Sequence, residues 1–175
     1  MERFLGSLKN SHLTLFLIEP AQFEKRLDEL VASLTEWSER PCYVTLSRPA
    51  LEVERTLRQT GADVSAMTFI DASAAHYRDH SATQRTIRTP LGLTELRHEI
   101  HDVLRTVRPD YLIVDDVSCL LAAERPFTVA RETLRIADLC RASGCRVLLA
   151  SAKHEQTTAL SAELWKGADS AFSVE

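Results

Sequence analysis

Short apolar runs alternate with longer amphipathic stretches along most of the chain. Each apolar run is bounded by turn-forming residues, which is typical of a strand that is covered on both faces. The runs predict strands at 13–18, 42–46, 67–70, 111–114 and 145–150, and a terminal strand at 171–174.

Between these runs, apolar residues recur at steps of three and four, which predicts helices with one buried face. The predicted helices cover about 20–39, 49–61, 91–108, 126–144 and, more briefly, 160–166. Proline stands at the starts of four of them and glycine at the ends of three, the positions that each residue favours. This alternation predicts an α/β fold, a three-layer α/β/α domain with a mainly parallel, five- to six-stranded sheet.

Residues 72–90 are polar and lack a periodic pattern, so a long polar loop is predicted there. The 175 residues suit one domain, and no linker-like segment or internal repeat divides them. We therefore expect a single domain that spans 1–175.

The overall charge restricts the range of partners. The formal net charge is -4 at pH 7, whereas proteins that bind nucleic acids or anionic membranes non-specifically are normally basic. No apolar stretch approaches the length of a transmembrane helix, and the first residues lack the apolar core of a signal peptide. We therefore expect a cytoplasmic protein that binds neither membranes nor nucleic acids.

The cysteines form no C-x-x-C pair, which favours buried free thiols at Cys42, Cys119, Cys140 and Cys145.

Polar residues cluster where the predicted strands end. The carboxyl ends of parallel strands lie along one edge of the sheet, where open α/β sheets bind ligands. Asp115 and Asp116 follow the strand at 111–114, and Asp71 follows the strand at 67–70. Carboxylates are ligands that magnesium prefers, so Asp115 and Asp71 are candidate metal ligands. The alternative is that these carboxylates cap the helices and turns that follow the strands. Other polar residues expected at this edge are Glu19, Ser47, Arg48, Ser118, Ser151, Lys153 and His154.

Seven stretches, taken in their order and spacing, resemble the RecA/KaiC-like ATPases that are often linked to signal transduction. They are Tyr43-Val-Thr-Leu-Ser-Arg-Pro, Gly61-Ala-Asp-Val, Thr68-Phe-Ile-Asp-Ala, Leu93-Thr-Glu-Leu, Tyr111-Leu-Ile-Val-Asp-Asp-Val-Ser-Cys-Leu-Leu, Arg146-Val-Leu-Leu-Ala-Ser and Gly167-Ala-Asp-Ser-Ala-Phe-Ser-Val. The resemblance spans nearly the whole chain and implies a RecA-like P-loop NTPase fold. It places Asp115 at the Walker B aspartate, which holds a nucleotide's magnesium, and Ser118 at the second serine of the family's D-S-x-S pattern. It therefore makes Asp115, Asp116 and Ser118 the candidate nucleotide-binding residues.

Two parts of the family's catalytic site are absent from the sequence. The phosphate loop G-x-x-x-x-G-K-[ST] should follow the first strand, because its glycines let backbone N–H groups cradle phosphates. Here that segment is Glu19-Pro-Ala-Gln-Phe-Glu-Lys-Arg, and no glycine occurs between Gly6 and Gly61. The family's second strand commonly ends in a catalytic glutamate, but Ser47-Arg48 stands there. Because phosphoryl transfer depends on positioning and charge stabilisation, we expect no ATP hydrolysis and no cofactor.

Three functional hypotheses follow from these residues. The first is a non-catalytic regulatory or interaction protein, a pseudo-ATPase that binds a protein partner or itself. The second is a protein that binds magnesium and a nucleotide through Asp115, Asp116 and Asp71 and keeps a residual ATPase-type function. The third is a receiver-like phosphoacceptor, suggested by the acidic pair together with Ser151 and Lys153.

Overall fold

The computed structural model describes residues 2–73, 86–88 and 92–174. Its centre is one seven-stranded sheet, in which every strand pair is parallel. The strands are β1 (Leu13–Ile18), β2 (Pro41–Thr45), β3 (Thr68–Asp71), β4 (Thr86–Arg88), β5 (Tyr111–Asp116), β6 (Arg146–Ala152) and β7 (Ser170–Val174). Their order across the sheet is β4-β3-β2-β5-β6-β1-β7.

Six helices cover the two faces of this sheet in the described part of the chain. They are α1 (Glu2–Asn10), α2 (Phe23–Thr35), α3 (Ala50–Gln59), α4 (Leu93–Thr106), α5 (Pro126–Ala142) and α6 (Thr158–Gly167). Short 3-10 segments occur at Pro20–Gln22, Val117–Ala122 and Glu155–Thr157. None of the helices described is long and apolar enough to cross a membrane.

Two hydrophobic clusters lie on opposite faces of the sheet. The helices α1, α2 and α3 supply one cluster, and α4, α5 and α6 supply the other. Successive residues of a strand point to opposite faces, so a strand buried on both sides must be apolar throughout. In β5, Tyr111 and Ile113 belong to the first cluster, whereas Leu112 and Val114 belong to the second. The predicted three-layer α/β/α class is thus confirmed and is consistent with Rossmann and RecA-like folds.

Two elements differ from the sequence prediction. The segment 72–90, predicted as a loop, contains β4, which pairs with β3 and raises the strand number to seven. This strand is only three residues long, too short to produce a recognisable pattern. The rest of the predicted loop, 74–85 and 89–91, lies outside the described residues. The helix α1 was not predicted either, although its Leu8 is fully buried against the sheet.

The predicted helix at 20–39 ends earlier, at Thr35. The chain then turns, and Asp110 holds the turn by accepting hydrogen bonds from the Ser38 hydroxyl and from the backbone N–H groups of Glu39 and Arg40, at 2.8–3.0 Å. Asp110 directly precedes β5, so these contacts place β2 beside β5.

The strand order places a change of connection direction at the carboxyl edge between β2 and β5. The chain leaves β2 through α3 on one face of the sheet and leaves β5 toward α5 on the other face. Open α/β sheets bind their ligands at such points, where the two connections diverge. The predicted site residues can therefore be compared with this edge of the sheet.

Candidate functional site

Asp115 lies at the carboxyl edge between β2 and β5, with none of its surface exposed to solvent. Its Oδ1 accepts the backbone N–H groups of Leu46 and Asp116, each at 2.7 Å. Its Oδ2 accepts the Ser47 hydroxyl at 2.7 Å and the Ser47 backbone N–H at 3.3 Å. The Thr45 hydroxyl is 3.1 Å from Oδ2, and it also lies within hydrogen-bond distance of the Arg48 carbonyl. Asp115 therefore fixes the loop that connects β2 to α3.

The electrostatics of Asp115 follow from this burial. Removal from water raises the pKa of the carboxyl group, and the hydrogen bonds donated by Ser47, Leu46 and Thr45 oppose that rise. Both carboxylate oxygens are used by groups of the same chain, so the side chain acts as an internal acceptor.

Asp71 occupies the corresponding position at the end of β3. Its Oδ2 accepts the backbone N–H of Ala50, the first residue of α3, at 2.8 Å. Its Oδ1 accepts the backbone N–H and the hydroxyl of Ser73, at 3.0 and 2.7 Å. The side chain is buried and caps α3 from a neighbouring strand, which satisfies one of the N–H groups that a helix start leaves free. The bonds to Ser73 form the turn after β3 that the sequence left open as an alternative, whereas the capped helix α3 precedes β3 in the chain.

Asp116 and Ser118 form a local turn at the end of β5. Asp116 Oδ1 accepts the backbone N–H and the hydroxyl of Ser118, at 3.1 and 2.6 Å, at the start of the 3-10 segment. The same oxygen accepts the backbone N–H of Ala152 at 3.2 Å, and this bond ties the end of β5 to the end of β6. The structure thus brings Asp116 and Ser118 together through contacts within the chain.

An ion pair lies at the end of β1. Lys153 Nζ lies 2.5 Å from Glu19 Oε1 and 3.0 Å from Ser173 Oγ. Pro20–Gln22 then forms a short 3-10 turn that leads directly into α2, so no extended loop stands between β1 and the helix.

A buried ion pair, not predicted from the sequence, joins the loop after β2 to α2. Arg48 turns under α2, with its guanidinium 2.9 Å from Asp28 Oδ1 and 3.7 Å from Glu24 Oε2. Burial raises the pKa of Asp28, and the contact with Arg48 opposes this shift. In the sequence, Asp28 lies among the apolar positions Leu27, Leu30 and Val31 of α2. A charged residue on the apolar face of a helix was the signal that could have revealed this buried pair.

A groove of about 480 Å³ opens beside Ser118. One side is formed by the 3-10 segment at 117–122 and the start of α5, and the other by His154 and Gln156. Cys119 also lines the groove, and burial, together with the nearby carboxylates of Asp116 and Asp115, raises the pKa of its thiol to about 12. Cys119 is therefore a neutral thiol near pH 7.

Within 2–73, 86–88 and 92–174, no three histidine, cysteine or acidic side chains come together as a metal site. Asp115 and Asp71 each accept hydrogen bonds from separate backbone segments. Ser151, another residue predicted at this edge, is fully buried, and its hydroxyl makes no hydrogen bond to the described residues.

Comparison with known proteins identifies no family for the chain. No protein-family model matches it, and no curated protein gives a significant match.

Proposed function

We propose that the chain is a non-catalytic, RecA/KaiC-like domain that acts in signal transduction by binding a protein partner or another copy of itself. The observation that supports this proposal is that the acidic side chains at the carboxyl edge of the sheet bind groups of the same chain. Asp115, which corresponds to the Walker B aspartate, has no exposed surface and accepts hydrogen bonds on both oxygens.

A nucleotide-bound magnesium ion needs oxygen ligands that face the bound phosphates. Freeing Asp115 would leave the N–H of the buried Leu46 without its acceptor, at a cost of about 1–3 kcal/mol. It would also break both hydrogen bonds from the exposed Ser47. Asp71 and Asp116 are committed to backbone groups in the same way. Metal binding by these carboxylates would therefore compete with the folding of two loops.

The end of β1 supports the same proposal. A phosphate loop binds anions through backbone N–H groups that point into open space and through a free lysine. Here the acidic Glu19 stands at that position, and it is paired with Lys153. An incoming phosphate would meet the carboxylate of Glu19 and would have to displace it from Lys153.

An ATPase assay on the purified chain tests the proposal. We expect phosphate release from ATP with magnesium to stay at the level of the protein-free blank. Turnover by the wild-type chain that disappears in Asp116→Asn, with the circular dichroism unchanged, would refute the pseudo-ATPase assignment. Asp116 is chosen because it is only half-buried and contributes one oxygen to the local turn.

One observation favours the second candidate function, the binding of a nucleotide with magnesium. The groove beside Ser118 is open, and it lies next to Asp116 at the carboxyl edge. A ligand that binds only the folded state raises the melting temperature. A shift produced by millimolar ATP with magnesium and reduced in Ser118→Ala would favour this function, whereas no shift with ATP, GTP or their diphosphates would exclude it.

A further inference from the structure

Three arginines converge on one glutamate on the outer surface of α4 and α5. Arg135 from α5 donates to Glu132 Oε1 at 2.7 Å, and its helix neighbour Arg131 donates to the same oxygen at 3.2 Å. Arg97, which comes from α4, donates to Glu132 Oε2 at 3.2 Å. A single carboxylate thus joins guanidinium groups from two helices.

This cluster carries excess positive charge. Glu132 supplies one negative charge against three positive ones, while the chain as a whole has a formal net charge of -4. The glutamate side chain is only 13% exposed, whereas those of Arg97, Arg131 and Arg135 are 44%, 49% and 57% exposed. A guanidinium has five N–H donors, so most donors in the cluster remain available to an incoming group. Glu132 holds the arginines in place and leaves their outer edges open.

An open groove of about 460 Å³ lies beside the cluster. Arg97 and Arg135 line it together with Asp138 and the half-buried Leu139. The groove thus joins cationic groups to an apolar floor. Asp138 also lines the groove, so the three arginines exceed the two carboxylates of Glu132 and Asp138 by one charge.

We propose that this surface, defined by Arg97, Arg131, Arg135 and Leu139, binds an acidic segment of a protein partner that carries a leucine or similar residue between its carboxylates. The inference rests on the proposed function, because it specifies the chemistry of the partner that a non-catalytic domain would bind. Arginine pairs with carboxylates through two parallel N–H···O bonds, and the guanidinium edges held by Glu132 lose little freedom on binding. Leu139 supplies the apolar contact between the charged ones.

A fluorescein-labelled peptide with four Glu-Glu-Leu repeats tests the proposal by fluorescence anisotropy. We expect saturable binding that weakens at least tenfold in Arg131→Glu/Arg135→Glu. We expect it to weaken also between 50 and 500 mM salt, since exposed charges are screened at high ionic strength. The matched control is Arg55→Glu/Arg58→Glu, which makes the same charge change on exposed residues of α3, on the opposite face of the sheet. It should alter the affinity by less than about twofold.

Absence of saturable binding, or an equal loss in the control pair, would overturn the proposal. Equal binding of a peptide with four Gln-Gln-Leu repeats would overturn it as well, because the carboxylates would then be unnecessary. Stronger binding of a single-stranded oligonucleotide than of the acidic peptide would assign the surface to nucleic acid. A change of oligomeric state caused by Arg131→Glu/Arg135→Glu alone would assign it to a second copy of the chain. A negative result here leaves the pseudo-ATPase proposal intact, because the ATPase assay tests that separately.

Discussion

The carboxylate of Asp115 accepts the backbone N–H of Leu46 at 2.7 Å, and this contact joins the end of β5 to the loop after β2. The same side chain binds the hydroxyl and the backbone N–H of Ser47. At the carboxyl edge between β2 and β5, the Asp115 side chain therefore binds the loop that follows β2.

Replacing Asp115 should destabilise the fold whether or not a ligand is present. Asp115→Ala leaves the N–H of the buried Leu46 without an acceptor and removes the hydrogen bonds from the exposed Ser47 and the half-buried Asp116. We expect a loss of about 3–5 kcal/mol in the free energy of unfolding. Asp115→Asn keeps the volume and one acceptor oxygen, so a loss of about 2–3 kcal/mol is expected. Urea denaturation in metal-free buffer measures both values. Unchanged stability in that buffer would mean that Asp115 is held for a ligand and not for the loop.

The buried pair of Arg48 and Asp28 should behave as a coupled unit. Arg48→Met or Asp28→Leu alone leaves a buried charge without its partner, which costs about 3–5 kcal/mol. The double variant should lose less than the sum, with a coupling energy of roughly 1–3 kcal/mol. The exposed pair of Arg26 and Glu29 is the control, and its cycle should give less than about 0.5 kcal/mol. Additive losses at Arg48 and Asp28 would contradict the coupling.

Cys119 should react slowly with alkylating reagents, although it is the least buried of the four cysteines. Its pKa of about 12 leaves about a thousandfold less thiolate near pH 7 than a cysteine of ordinary pKa, and thiolate is the reactive form. The iodoacetamide rate, followed by mass spectrometry, should therefore still rise with pH above 10. In urea all four cysteines should react as ordinary thiols. A rate that levels off near pH 9 in the folded protein would contradict the raised pKa.

Tyr111 should anchor α1 to the sheet. Its hydroxyl donates to the backbone carbonyl of Leu8 at 3.1 Å, and Tyr111→Phe should cost about 1 kcal/mol in unfolding free energy. The control is Tyr43→Phe, because the buried Tyr43 hydroxyl has no hydrogen-bond partner among the described residues and its removal should be neutral or stabilising. A larger loss at Tyr43 than at Tyr111, measured by urea denaturation, would contradict this assignment.

Much of the fold could be predicted because its signals are local. The runs at 13–18 and 111–114 had to be buried strands, since each has apolar residues on both faces. Gly61 and Gly144 adopt φ values of 88° and 74°, which most other residues avoid, and they follow α3 and α5 near the predicted positions. The strand β4 and the helix α1 escaped prediction because three residues are too few for a pattern and because α1 is short.

The candidate site was predicted only in part. That Asp71, Asp115 and Asp116 would lie along one edge followed from the strand pattern alone. The strand pattern did not predict which groups these carboxylates bind. Their partners Ala50, Leu46 and Ala152 belong to other elements, which reach the carboxylate oxygens only after the sheet has formed. The pair of Arg48 and Asp28 escaped for the same reason, since the two residues lie 20 positions apart in the chain.

The sequence by itself determined a parallel sheet between two layers of helices, and it determined the lack of a glycine-rich phosphate loop, because both depend on residue type along the chain. Only the tertiary structure decided what the acidic residues do. Asp115 is fully buried beside the N–H of Leu46 and the hydroxyl of Ser47, and its carboxylate must satisfy the buried donor of Leu46 or leave that donor unpaired. The position of a carboxylate along the chain does not reveal this choice, because it depends on the groups that folding brings within 3 Å of it.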